Sequence, residues 1–254
     1  TENLRRCVVD INGLDPKPNA VIHTGDITQH GKAAEFAHAR SLLAKLEAPL
    51  YAIPGNRDGR ERMVQSFATD GYILPEIAFV HYAVETYPVR LVAVDTLSDD
   101  GSAKGDLCDA RLAVLDATLA QVPARPTVLF MHHPPFDVSA APDPFAYQHR
   151  KAVAGLVAVV LRHPQVVRIF AGHMHRPWSG TVGGVAASTV PSVAVDRRYG
   201  PYTAAMEGQP VYQVHRFEGV GGFVSQTRLP TTDLQPSESC GQVFSNSARL
   251  SGSR

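Results

Sequence analysis

The stretch VVRIFAGHMH, residues 166–175, decides how this chain reads. A run of β-formers is closed by Gly172, whose missing Cβ lets the backbone turn sharply, and two imidazoles, His173 and His175, follow on that turn. The same design recurs upstream in AVIHTGD (20–26), LYAIPGN (50–56), VRLVAVD (residues 89–95) and TVLFMHH (127–133). Helical patterns lie between them: Lys32–Ala48, with Phe36, Ala39, Leu43 and Leu46 on one face, Asp109–Val122, with Leu112, Leu115 and Leu119, and the nearly apolar His149–His163. Strands that alternate with helices imply parallel pairing under helical cover, which places the chain in the α/β class. Polar groups gathered at the carboxyl ends of such strands stand where open α/β sheets bind ligands.

Beyond Trp178 the texture changes. VAASTVP (185–191), VYQVHRF (211–217) and FVSQTRL (223–229) read as short strands joined by turns, which suggests a second, more antiparallel sheet layered on the first. Residues 1–229 form the expected domain, and residues 230–254, rich in Ser, Thr, Gly and Gln, the expected mobile tail.

The bulk numbers exclude several classes. With 24 Lys and Arg against 24 Asp and Glu, the net charge is +0, and no basic stripe recommends a nucleic acid polymer as partner. No apolar run approaches the roughly 18 residues a membrane helix needs. Three widely spaced cysteines (Cys7, Cys108 and Cys240) fit a reducing compartment better than a disulfide framework, so a cytoplasmic location is expected.

The strand-end residues form one set: Gly25-Asp26, Gly55-Asn56-Arg57-Asp58, His132-His133-Pro134 and Gly172-His173-Met174-His175. A carboxylate, an amide and several imidazoles make a donor set suited to Mn, Fe or Zn rather than Ca, without the thiolates of a structural zinc site. Each piece alone is weak; four pieces in this order, each ending a strand, are much stronger.

In these motifs, G-D…G-N-R-D…H-H-P-P…G-H-x-H, the chain resembles the calcineurin-like metallophosphoesterases, and within them the class III cyclic-nucleotide phosphodiesterase and glycerophosphodiesterase branch. The similarity runs from the N-terminal helix to the strand near Val211. It implies a four-layer α/β/β/α sandwich with two divalent metal ions (Mn, Fe or Zn) at one sheet edge. By position, Asp26 matches the carboxylate that bridges both metals. Asn56, His132 and His173 match the other ligands of the second metal, and His175 a ligand of the first. The implied reaction is hydrolysis of a small phosphodiester, a cyclic nucleotide or a glycerophosphodiester, by a hydroxide held between cations roughly 3.5–4 Å apart; the alternatives are a phosphomonoesterase or pyrophosphatase on the same scaffold, or a non-catalytic metal-binding module. Homodimers are common in the branch, so a dimer is among the expectations.

Two departures from the pattern matter. The family's opening motif, D-x-H at the end of a first strand, is not in these residues. A segment ahead of Thr1 is expected to supply it; with Asp26 and His175 alone the first metal site is incomplete, so the chain as given should hold one metal well. The strand Ala20–Thr24 should then show an unpaired edge. The second departure is Arg57, which stands where relatives usually carry a histidine that contacts phosphate. A guanidinium stays charged and cannot serve as a general acid, but it can clamp a phosphate oxygen, so Arg57 is the candidate substrate-binding and catalytic residue.

Neighbouring residues carry blander readings. His132 is favoured over His133 as ligand because it follows its strand directly. His23 reads as structural, and His30 as a surface residue that could rim the pocket. Asp58 either caps the next helix or steadies a ligand, Trp178 packs, and Asp95 anchors its loop. The loop Asp137–Gln148 is expected to wall the pocket.

Overall fold

The computed structural model describes residues 1–73, 78–139, 141, 143–194, 206, 208–219 and 222–230. Its centre is a six-stranded sheet in the order β3-β4-β5-β6-β8-β7, built from β3 (Tyr82–Val84), β4 (Arg90–Val94), β5 (Thr127–Met131), β6 (Val166–Ala171), β7 (Ser179–Val182) and β8 (Val185–Thr189). β4, β5, β6 and β8 run parallel, while β3 and β7 pair antiparallel at the two edges. Every residue of β4 and β5 is buried, as expected of strands covered on both faces.

Two smaller sheets lie beside it: a parallel pair of β1 (Val21–His23) with β2 (Leu50–Ala52), and an antiparallel hairpin of β9 (Tyr212–Phe217) with β10 (Phe223–Arg228). Strand alternation sends Ile22 and Tyr51 toward the large core. Leu50 and Ala52 instead join Phe36, Met63 and Phe67 of α2 (Ala33–Leu43) and α3 (Arg60–Phe67). On the far side of the six-stranded sheet, α4 (Asp109–Ala120) and α5 (Arg150–Arg162) bury Leu115, Leu119, Leu156 and Val159 in that core. The layers therefore run helix, sheet, small sheets, helix. α1 (Glu2–Asn12) packs beside α2.

Most expected elements appear with shortened ends. The helix expected over Lys32–Ala48 stops at Leu43, where Ala44 starts the exit into a turn. One expectation is corrected. Val185–Thr189 does not join a second sheet; β8 pairs in parallel with β6, through Ile169–Ala187 and Phe170–Ser188, and extends the main sheet. Only β9 and β10 form the antiparallel pair, because Phe217 and Phe223 need an apolar surface and find it on the Phe170 face of β6. β3 carried no sequence signal strong enough to be expected. Among the described residues β1 pairs with β2 alone, so its other edge is open, as the sequence implied. The tail expected over 230–254 lies, beyond Pro230, outside the described residues. Among the described residues no helix is long and apolar enough to cross a membrane.

Asp95, closing β4, is an anchor as expected. It is fully buried, takes 2.7 Å and 3.4 Å bonds from the Arg60 guanidinium and accepts from the backbone N–H of Val80 and Leu97. Burial alone would raise its pKa; the Arg60 bonds and the backbone donors outweigh burial and hold it low.

His215 on β9 stacks on Phe170 with ring centroids 4.0 Å apart. Burial first, and then the nearby Arg168 charge, lower its pKa to about 4. The unfolded histidine titrates near 6.5, so between those values the unfolded chain binds the extra proton, and stability falls as pH drops from about 6.5 to about 4. This one group should cost about 2 kcal/mol at pH 5 relative to pH 7.5. Denaturant melts of His215→Phe at the two pH values should show a correspondingly smaller loss than wild type; an equal loss would assign the acid sensitivity elsewhere.

Candidate metal centre

Three loops leave the carboxyl ends of β1, β2 and β5, and they meet closer than side chains normally permit. A Cβ on Gly25 would lie 2.6 Å from Gly55 N and 2.7 Å from His132 Nδ1; one on Gly55 would lie 2.3 Å from both the N and the Oδ1 of Asp26. Only glycine fits at either crossing. The fourth loop, after β6, comes equally near, since a Cβ on Gly172 would lie 2.7 Å from Thr24 Oγ1.

This crossing brings donor atoms together. His132 Nε2 lies 3.0 Å from Asn56 Oδ1 and 3.6 Å from Asp26 Oδ1, and His173 Nδ1 lies 3.0 Å from Asn56 Oδ1 and 3.2 Å from His132 Nε2. Ligands around a cation at roughly 2.1 Å are spaced about 3.0 Å apart in octahedral and about 3.4 Å in tetrahedral geometry. Asn56, His132 and His173 thus present three donor atoms at that spacing, with Asp26 Oδ1 slightly farther, at 3.6 Å from His132 Nε2. His132 is aimed by its other nitrogen, 2.7 Å from the Thr24 carbonyl, the arrangement in which ligating histidines are usually held.

The backbone is strained at the same place. Asp26, His173 and His175 have φ of 54°, 66° and 57°, and these are the only non-glycine residues with positive φ among the described ones. Each costs on the order of 1–3 kcal/mol, a cost that persists where geometry serves a site. Burial lowers the His173 pKa to about 3, and the nearby His132 and His175 charges act against protonation as well, while Asp26 opposes them. A neutral imidazole is the form that offers a lone pair to a metal.

Comparison with known proteins identifies the family of the chain. Residues 2–177 match the model of the calcineurin-like phosphoesterase family. The chain belongs to that family. It is 30% identical to the "Probable glycerophosphodiester phosphodiesterase GpdQ" of Arcobacter nitrofigilis, over 88% of this chain and 82% of that protein. It is 35% identical to a "Probable cyclic nucleotide phosphodiesterase" of Rhodopseudomonas palustris, over 72% of this chain and 66% of that one. Among solved structures, a dimetal phosphatase from Danio rerio superposes with a TM-score of 0.60 at 16% identity, covering 91% of this chain and 89% of the other, which is a likeness of fold.

Set against the family pattern, His133 takes the lesser role. Its ligand atoms fall within 4.8 Å of those of His132 and His173, yet both of its nitrogens are engaged, Nδ1 at 2.8 Å from Thr96 Oγ1 and Nε2 at 3.1 Å from the Ala103 carbonyl. It backs the site as a packed wall, its ring centroid 4.7 Å from each of the other two. Arg57 is exposed, and its backbone N–H donates to Asp26 Oδ1 at 2.9 Å. His23 is held neutral by burial, with a pKa of about 4, and contributes no donor to the cluster. His30 points at Glu35, 2.9 Å away, on the exposed loop after Asp26. Trp178 packs against the main core beneath the Arg176 guanidinium.

Asp58 proves to be the tie between two ligand loops and does not cap the helix, whose N-cap is Gly59. Buried to 5% exposure, it accepts from the N–H groups of Ile27, Thr28 and Gly55 and from the Thr28 hydroxyl. Desolvation raises its pKa against those bonds. The Thr24 carbonyl and the Gly25–Gly55 crossing had no signal in the sequence, because a backbone oxygen and a close approach are properties of the folded chain.

Gly55→Ala should lower affinity for Mn²⁺ by about 100-fold or more, since the new methyl displaces Asp26. Gly59→Ala is the control, because a Cβ there meets nothing within 4 Å. Calorimetric titration of both variants, with circular dichroism to confirm folding, makes the comparison; equal affinities would contradict the crossing as the organising feature.

Proposed function

We propose that this chain hydrolyses small phosphodiesters at a divalent metal centre held by Asp26, Asn56, His132 and His173, with Asp26 shared toward a second site that includes His175. The observation that carries this reading is the convergence of Asn56 Oδ1, His132 Nε2 and His173 Nδ1 within 3.0–3.2 Å of one another, with Asp26 Oδ1 at 3.6 Å from His132. Mn, Fe and Zn suit this mixture of imidazole, amide and carboxylate. Bound divalent cations supply Lewis-acid charge at the phosphoryl oxygens and lower the pKa of water. The relatives named as glycerophosphodiester and cyclic nucleotide phosphodiesterases support the choice of diesters.

The protein's own part is position and charge. Asp58 keeps the Asp26 loop against the Asn56 loop, and Thr24 fixes the tautomer of His132 so that Nε2 is the free lone pair. Arg57, next to Asn56 and tied through its N–H to Asp26, places a permanent positive charge beside the phosphate. Its guanidinium donates hydrogen bonds to a phosphoryl oxygen but releases no proton to a departing alkoxide. Esters with good leaving groups are therefore favoured.

The chain should bind Mn²⁺ and should hydrolyse bis(p-nitrophenyl) phosphate in a manner abolished by a chelator. Arg57→His should raise the rate on alkyl diesters relative to aryl diesters by about 10-fold or more, the contribution a positioned general acid makes. Absence of metal-dependent turnover would overturn the reading, and an unchanged alkyl-to-aryl ratio would overturn the role of Arg57.

A further inference from the structure

The metal cluster occupies the carboxyl ends of the strands; toward their amino ends the sandwich holds an arginine without a counter-ion. Arg168 of β6 is half-buried. Its Nη2 donates to Ser188 Oγ of β8 at 2.7 Å, and its guanidinium carbon lies 5.1 Å from the centroid of Phe170, the ring that His215 of β9 covers from the other sheet. Its Nε–H is buried and has no partner, and among the described residues no carboxylate pairs with it. Burial alone therefore acts on its pKa, and lowers it. Beside it opens a cavity of about 610 Å³, lined by Pro126, Val166, Val167, Val185, Ala186 and Phe217 together with glycines of the β7–β8 and β9–β10 turns. Val166 and Val167 lead directly into Arg168, and Ala186 stands two residues before Ser188. The guanidinium thus lies one step farther up the strands than the lining, at the inner end of an apolar cavity.

We propose that this cavity binds an aliphatic carboxylate, its head group on Arg168 and its chain along the valine-lined wall, at a site separate from the metal centre. A half-buried charge without an opposite charge is unfavourable, and an anion that reaches it relieves that cost. The planar guanidinium fits a carboxylate, and the orphan Nε–H supplies a donor that the fold leaves unused. One arginine offsets one negative charge, which favours a carboxylate over a dianionic phosphate. Val166, Val167, Val185 and Phe217 offer apolar area to the rest of the ligand, and a cavity of this size with few polar groups suits a small amphipathic molecule. Chain length should then add affinity until the apolar wall is covered. Nothing in this site takes part in hydrolysis, so it stands or falls independently of the diesterase reading.

The test is calorimetric titration of the Mn²⁺-loaded chain with octanoate, 1-octanol and butanoate. Octanoate should bind about 10-fold or more tighter than 1-octanol, the contribution of a charge-assisted hydrogen bond, and about 10-fold or more tighter than butanoate, which buries less chain. In Arg168→Met, which keeps an apolar stem of similar length, the preference for octanoate over 1-octanol should fall to about one, with the melting temperature at or above wild type because an unpaired charge has been removed. Ala186→Trp, which fills the cavity beside Val185, should lose both ligands while circular dichroism shows the fold retained. No saturable binding of octanoate, or equal affinity for octanoate and 1-octanol in wild type, overturns the site without recourse to any variant. Octanoate that binds Arg168→Met as tightly as wild type would be lying elsewhere, at the metal ions above all, and overturns it as well.

Discussion

The close approach of Gly25 and Gly55 governs this molecule. Two strand-end loops pass with backbone atoms where a Cβ would otherwise lie, and His132 from a third loop closes against both. The contact is steric, but its consequence is electrostatic. It brings an amide oxygen and two imidazole nitrogens to within 3.0–3.2 Å of one another, with a carboxylate oxygen 3.6 Å from one of the imidazoles. Lone pairs that face each other at that range repel unless a proton or a cation stands between them.

Holding that arrangement requires support from outside the cluster. Left-handed backbone at Asp26, His173 and His175 is unfavourable by itself, and it persists because the surroundings leave no alternative. Asp58 takes four donors from the two loops; Thr24 accepts from His132; Thr96 and the Ala103 carbonyl occupy His133. The buried strands β4, β5 and β6 then set the height at which the loops leave the sheet. Rigid strands below and a network of side-chain bonds above give a preorganised cluster, the condition under which fixed charges act strongly on a reacting group.

The outer rim follows a different logic. Arg57 reaches solvent, so it suits recognition of variable parts of a ligand. Under the reading proposed here, the buried cluster would serve the phosphoryl group, which all candidate substrates share. One scaffold can therefore keep its chemistry while loop residues change what it accepts.

Composition and periodicity carried the α/β class, eight strands and three helices, because apolar periodicity and glycine-led turns are local properties of a chain, while the candidate donor residues came from the resemblance of their motifs to a family. They did not carry the partition of strands among sheets. Val185–Thr189 reads like its neighbours in sequence, yet it joins β6 in parallel while Tyr212–Phe217 seeks the Phe170 face. Nor did they distinguish His132 from His133 by chemistry, since adjacent residues of one type differ only in which way the turn points them. Asp58 as a tie between loops, the Thr24 carbonyl behind His132, and Lys104 brought beside Asp143 from 39 residues away were decided in the tertiary structure. Each depends on distances between segments remote in sequence, and those distances exist only once the strands have paired and packed.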